Sequence, residues 1–225
     1  MTASGPGPGS QLVFFDLDET ITRHDTLLAH AMGLMLRRRP WRLLLLVTVI
    51  PPLIQFLAGR TDEGRVKQAF IQATLGGTKR STLDAWTARF VPKVIAKGTF
   101  ANALRQIDAH RRRGDYLILM SASTDLYVPA IAQALGFNET ICTGVRWNGD
   151  RLDGTLTTPN RKGPEKAVCF MQARAQHPGL TTIAYGNSST DLPHLQLANQ
   201  GVLVNGSAKA RRAAQALALT CVQWR

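Results

Sequence analysis

What most constrains the fold of this chain is a short apolar run, Gln11 to Phe15 (QLVFF), that stops abruptly at the polar stretch DLDET. Such a run fits a buried strand that delivers polar residues at its C-terminal end. Comparable runs follow at Tyr116 to Met120 (YLILM), Thr181 to Tyr185 (TTIAY) and Gly201 to Val204, separated by helix-like segments and without any internal repeat. Strand, helix, strand is the pattern of a parallel sheet, and open sheets of this kind take their ligands beyond the C-terminal strand ends.

Between Phe15 and Tyr116 no clear strand pattern occurs, over a distance too long for a loop in a compact domain, so a helical insert is expected there. Helix-like stretches run from Asp25 to Arg38, Asp62 to Leu75 and Ser81 to Ile95, the last interrupted by Pro92. Further on, GVRWNGDRLDGTL alternates around an Asn148-Gly149 turn, as a β-hairpin at the edge of the core does. The expected architecture is α/β: a Rossmann-like parallel sheet core (1–22 and 98–225) with an inserted all-helical cap (23–97) and a small edge β-hairpin.

At 225 residues and 44% hydrophobic content the chain can bury a full core, which excludes a disordered tail protein. Its formal charge of +12 makes phosphorylated small molecules, nucleic acid and anionic membranes electrostatically plausible partners. The runs Arg37 to Arg39 and Arg111 to Arg113 carry no interleaved aromatics and read as solvated helix faces, which argues against nucleic acid. Cys142, Cys169 and Cys221 have neither metal-site nor disulfide-framework spacing. The N-terminal MTASGPGPGSQ has no basic and then apolar organisation, so it reads as a flexible lead-in and the catalytic part is expected to be cytoplasmic.

Leu43 to Gly59 (LLLLVTVIPPLIQFLAG) is uncharged and flanked by Arg37, Arg38, Arg39, Arg42 and Arg60. It barely approaches the ~18 apolar residues of a spanning helix, and Pro51-Pro52 breaks it. A span would also separate Asp16 from every later polar motif. Two readings stand: an interfacial hairpin at the inner face of the cell membrane, or a pair of buried cap helices.

Asp16 and Asp18, two apart after a strand, can point into one cleft. Hard magnesium takes oxygen ligands, so Asp16 suits a nucleophile and ligand, while Asp18 suits a general acid and base that also offers the metal its backbone carbonyl. Ser121, in LILMSASTD, with the Ala122 N–H and the start of the following helix, could hold a phosphate oxygen. In NRKGPEKAVCF, Lys166 on a first helical turn could neutralise a phosphoryl group, with Lys162 as the competing choice. AYGNSSTDLPHL places Asn187 and Asp191 at a strand-to-helix turn. The order counts: an Asp pair, a Ser, a Lys and a second acidic loop follow one another, mostly at strand ends.

With these residues the chain resembles the haloacid dehalogenase superfamily, in its phosphoserine-phosphatase-like branch. DLDETIT is similar to the family's DxDxT loop, SAS to its Ser/Thr motif, GPEK to its lysine motif and YGNSSTDLPHL to its acidic loop. The resemblance implies a phosphomonoester hydrolase with a phosphoaspartate on Asp16, acid/base work by Asp18, support from Thr20, phosphate contacts from Ser121 and Lys166, and Mg2+. Asp25 falls where phosphoserine phosphatases carry an acidic substrate contact. The family's usual metal-binding aspartate is replaced by Asn187, which removes one negative charge and shifts weight onto Asp191. FFDLDETITRHD, the basic LRRRP and the Leu-rich run also look like the C-type bacterial phosphatidylglycerophosphate phosphatases. That likeness implies a membrane lipid phosphate as substrate. The alternatives are a soluble phosphoserine-like phosphatase and a weakly active membrane-associated scaffold.

Overall fold

The computed structural model describes residues 10–225; apart from Ser10 and Gln11, the lead-in expected at the N-terminus lies outside them. Strand β1 (Leu12–Phe15) is buried along its whole length. Seven further strands follow: β2 (Tyr116–Thr124), β3 (Glu139–Thr143), β4 (Val145–Asn148), β5 (Arg151–Leu156), β6 (Thr182–Gly186), β7 (Gln200–Val204) and β8 (Thr220–Val222). Six form one parallel sheet of order β3-β2-β1-β6-β7-β8, as the α/β reading expects, with the short edges β3 and β8 added to the four apolar runs.

Alternate β1 side chains enter two cores. Val13 and Phe15 pack toward α5 (Ala101–Arg112) and α6 (Val128–Leu135), whereas Leu12 and Phe14 pack toward α7 (Pro164–Gln176), α8 (Leu192–Leu197) and α9 (Ala208–Ala216). Phe15 stacks on Tyr185 at 4.4 Å between ring centroids and Phe14 meets Phe170 at 4.5 Å. Each such burial is worth roughly 1.5–3 kcal/mol. A slip of one residue would exchange the two faces, so the register is strongly specified. A polar cluster ties the strand entry together: Asp115 accepts from the Gln11 N–H at 3.0 Å and lies 2.7 Å from His110 Nδ1, whose Nε2 is 3.0 Å from the Tyr185 hydroxyl.

The insert is helical: α1 (Thr26–Arg38), a 3₁₀ segment Pro40–Val49, α2 (Ile50–Leu57), α3 (Glu63–Leu75) and α4 (Arg80–Lys97). α4 runs unbroken through Pro92, with Phe90 and Val91 buried just before it. The two prolines of the apolar stretch occupy the first turn of α2, where their absent N–H groups cost nothing. The stretch is not buried cap core: only 6% of Pro40–Leu57 is buried.

Arg42 is buried rather than interfacial. Its guanidinium donates to the carbonyls of Gln72 and Ala73 at 2.8 Å each and to that of Gly76, capping the C-terminus of α3 with a cation. The β4–β5 hairpin forms a separate sheet instead of extending the core edge. It lies on the end of α3, where Gly77 N–H donates to Leu152 O at 2.7 Å and Leu152 N–H to Thr78 O at 2.9 Å. Gly154 (φ +84) passes so close to Ile71 and Gln72 that a side chain there would meet them at 3.1 Å.

Candidate active site

Because β1 lies between β2 and β6, the chain runs outward on one side and returns on the other, and the crevice at this switch point opens beyond the C-terminal strand ends. Asp16 follows β1, the Ser121–Ala122–Ser123 stretch lies near the end of β2, and Gly186 ends β6 just before the Asn187 to Asp191 turn. The DLDET turn closes through Ile21 N–H to Leu17 O at 2.9 Å, with Glu19 in the left-handed region at φ 60.

Asp16 is held on both oxygens: Lys166 Nζ lies 2.6 Å from one, and the Thr20 hydroxyl donates to the other at 2.8 Å. Lys166 also reaches Asp191 at 2.8 Å, so one buried ammonium bridges two buried carboxylates. Burial, only partly offset by Lys166, pushes the Asp16 carboxyl up to about 7. Burial would raise Asp191 as well, but Lys166 beside it holds that carboxylate well below the usual range. The same two carboxylates outweigh burial at Lys166 and keep it a firm cation. Between the two lysines weighed in the sequence, Lys166 faces the nucleophile, whereas Lys162 pairs with Glu63 of the cap at 2.8 Å.

Asp18 points toward the cap. One oxygen accepts from the N–H and hydroxyl of Thr26 at 2.6 Å each, and the other from the Ser123 hydroxyl at 2.6 Å. Burial raises its carboxyl and these bonds oppose the rise. Asp25 caps α1 through the Leu28 N–H at 2.8 Å and lines the cleft as well.

Ser121 differs from the expected strand-end serine. β2 continues to Thr124 and α6 starts only at Val128, so no helix begins at Ser121. It is fully buried and accepts from the Ser123 N–H at 3.0 Å; Ala122 and Ser123 form the cleft wall. Sequence reasoning passed over Ser123, although it shares the face of Ser121 by strand alternation. It also passed over Lys67, whose ammonium donates to Ala122 O at 2.7 Å and to Asn160, and which burial lowers to about 8. A single lysine on a helix leaves no signal of that role.

The cleft, of about 270 Å³, is lined by six acidic side chains (Asp16, Asp18, Glu19, Asp25, Glu63, Asp191) and three lysines (Lys67, Lys162, Lys166). Such an excess of formal negative charge repels a phosphate dianion unless a cation joins it. No cluster of three or more His, Cys, Asp or Glu side chains among the described residues is arranged to hold a metal ion. The donors here are of another kind. The Asn187 amide nitrogen donates to Glu19 at 3.1 Å, so its oxygen is the end left to offer a cation, and Asn187 lines the same cleft as Asp16 and Asp18. An all-oxygen set of this composition fits Mg2+. Asp191 spends its oxygens on Lys166, on the Asn187 and Ser188 N–H groups and on the Ser188 hydroxyl, so it braces the loop.

A family model of haloacid dehalogenase-like hydrolases matches residues 13–196, from β1 through α8. The chain belongs to this family. Among curated relatives, protein CicA of Caulobacter vibrioides is 28% identical over 210 residues, covering 89% of this chain and 90% of that protein. A probable phosphatase of Mycobacterium tuberculosis is 26% identical over 221 residues, covering 95% and 75%. A solved protein of unknown function from Bordetella pertussis Tohama I superposes with TM-score 0.77 at 21% identity over 95% of this chain and 98% of its own. A substrate-bound phosphoserine phosphatase superposes with TM-score 0.68 at 15% identity, covering 96% and 94%. At these identities the two structures speak to the fold, which is that of the haloacid dehalogenase-like core with a helical insert.

Proposed function

We propose that the chain is a Mg2+-dependent phosphomonoester hydrolase working through an aspartyl-phosphate on Asp16. The observation that carries this reading is the buried Asp16, fixed by Lys166 and Thr20 at the mouth of the switch-point crevice. Asp16 attacks phosphorus in line, forming the P–O bond to its carboxylate as the ester P–O bond breaks. The leaving alkoxide takes the proton of Asp18, whose burial suits it to hold one. The Asp18 carboxylate then draws a proton from water; that water attacks phosphorus, the acyl P–O bond breaks, and inorganic phosphate leaves a free Asp16. Lys166 neutralises charge on the transferring group throughout. Mg2+, held by Asp16, the Asp18 carbonyl and Asn187, would supply the positive charge that lets a dianion enter and keeps Asp16 ionised.

The substrate proposed is a membrane lipid phosphate, met by an enzyme peripheral to the inner face of the cell membrane. Beside the catalytic cleft, and sharing Asp25, Leu27, Glu63 and Lys67 with it, opens a groove of about 270 Å³ walled by Leu28, Val49, Val66 and Phe70. Its apolar wall supports a substrate with a hydrocarbon part, and Val49 belongs to the exposed apolar stretch. The test is phosphate release from phosphatidylglycerophosphate in mixed micelles, from phosphoserine and from an aryl phosphate, with Mg2+ and with chelator. Turnover of phosphoserine alone would sink the lipid reading, and metal-independent turnover the Mg2+ reading.

A further inference from the structure

A second polar cavity, of about 540 Å³, lies away from the catalytic cleft between α1 and α4. Arg37, Arg38, Arg39, Arg89 and Lys93 line it together with Trp86, and no acidic side chain does. None of these five cations is in an ion pair among the described residues. Arg37 instead lies over the Trp86 ring at 5.1 Å. A further groove of about 370 Å³ shares Arg37, Trp86, Arg89 and Lys93 and continues between the helices along Ala29, Gly33, Phe90 and Val94 to a polar far end at Asp25 and Lys97. A mouth of unpaired cations that opens onto an apolar groove is suited to a ligand with an anionic head and a hydrocarbon body.

Arg39 is followed directly by the apolar stretch, in which Trp41, Leu44, Ile54 and Leu57 are 60%, 78%, 60% and 75% exposed. Contiguous apolar exposure of this kind marks an interaction surface. A transmembrane course is ruled out by its roots: Arg42 is bolted into the end of α3, and α1 and α3 pack on each other, so both ends of the stretch stay on one side. Bilayer insertion from one side is compatible with that, with Trp41 at the depth where indoles settle.

We propose that the α1–α4 cavity is a non-catalytic head-group site for anionic phospholipid, and that it and the Pro40–Leu57 stretch together dock the protein on an anionic bilayer. This goes beyond the catalytic reading and does not rest on it, because docking requires neither Asp16 chemistry nor a lipid substrate. The test is sedimentation of the full chain with vesicles of phosphatidylcholine alone or with 30% phosphatidylglycerol, with far-UV circular dichroism and the unfolding midpoint as the control for folding. Wild type is expected to sediment with the anionic vesicles, to release in high salt, and to ignore the neutral ones. R38S/R89S/K93S is expected to lower partition roughly a hundredfold, each basic residue near such a surface being worth about fivefold. L44S/I54S/L57S is expected to abolish sedimentation, with both variants keeping the wild-type circular dichroism and unfolding midpoint. Equal binding to neutral and anionic vesicles, or an unchanged R38S/R89S/K93S, would overturn the head-group site. The docking is refuted if wild type stays in the supernatant, whether as a monomer, as a dimer that L44S/I54S/L57S breaks, or as a nucleic-acid binder.

Discussion

Lys166 stands between Asp16 and Asp191, both of which are buried, so one ammonium faces two carboxylates. Removing the ammonium strands two carboxylates, so Lys166→Met should cost about 3–5 kcal/mol in denaturant unfolding as well as turnover. Asp16→Asn leaves Lys166 paired with Asp191 and should abolish phosphate release from a protein that still folds; turnover in that variant would remove the nucleophile assignment. At Asn187, substitution by Asp restores an anionic ligand, and the Mg2+ concentration for half-maximal activity should fall. An unchanged metal titration would show that residue 187 is not a ligand. Asp16, Ser121 and Asn187 could be singled out because each stands at or just past the end of an apolar run, and a parallel sheet brings strand ends together, whereas Lys166, in the first turn of α7, and Asp25, capping α1, follow no such run. Lys67 was not legible, since a mid-helix lysine looks the same whether it faces a cleft or solvent, while Ser123 was marked only by sharing the face of Ser121. The inward course of Ser121 was hidden for another reason: nothing in LILMSASTD marks where the strand stops.

At the scale of elements, the sheet could be read from its apolar runs, while β3 and β8 could not, being short edges with mixed burial. The hairpin was visible in its Asn-Gly turn, but its attachment to α3 depends on Gly154 and on bonds between segments far apart in the chain. Lys67 gives α3 a titration of its own. Burial lowers its ammonium from 10.5 to about 8, so between those values the unfolded chain holds a proton that the folded one has released, and stability should rise with pH across that window. Lys67→Met should flatten this slope in denaturant unfolding measured from pH 7.5 to 10; an identical slope would mean that another group carries it. At the other end of the same helix, Arg42→Ala should cost about 2–4 kcal/mol, because three carbonyls lose a charged donor at once.

Taken whole, the molecule is a sheet whose crevice is roofed by helices, and polar contacts tie the roof to the floor around the cleft. Thr26 reaches Asp18, Lys67 reaches Ala122, and Glu63 pairs with Lys162 across the rim. Glu63→Gln should loosen that rim contact, raising KM more than it lowers kcat, since it acts on closure rather than on the reacting bond; a change confined to kcat would refute this. The cap as a whole was predictable from the length of strandless sequence, though the exposure of its apolar stretch was not, because a Leu-rich run reads alike in a core and on a surface. One consequence follows from α3 alone. Its first turns supply Glu63 and Lys67 to the cleft, and its last carbonyls are clamped by Arg42 at the root of the apolar stretch. A helix resists compression along its axis, so α3 is a strut about 20 Å long between that root and the cleft. A load taken by the stretch is therefore passed along α3 toward Glu63 and Lys67 at the cleft.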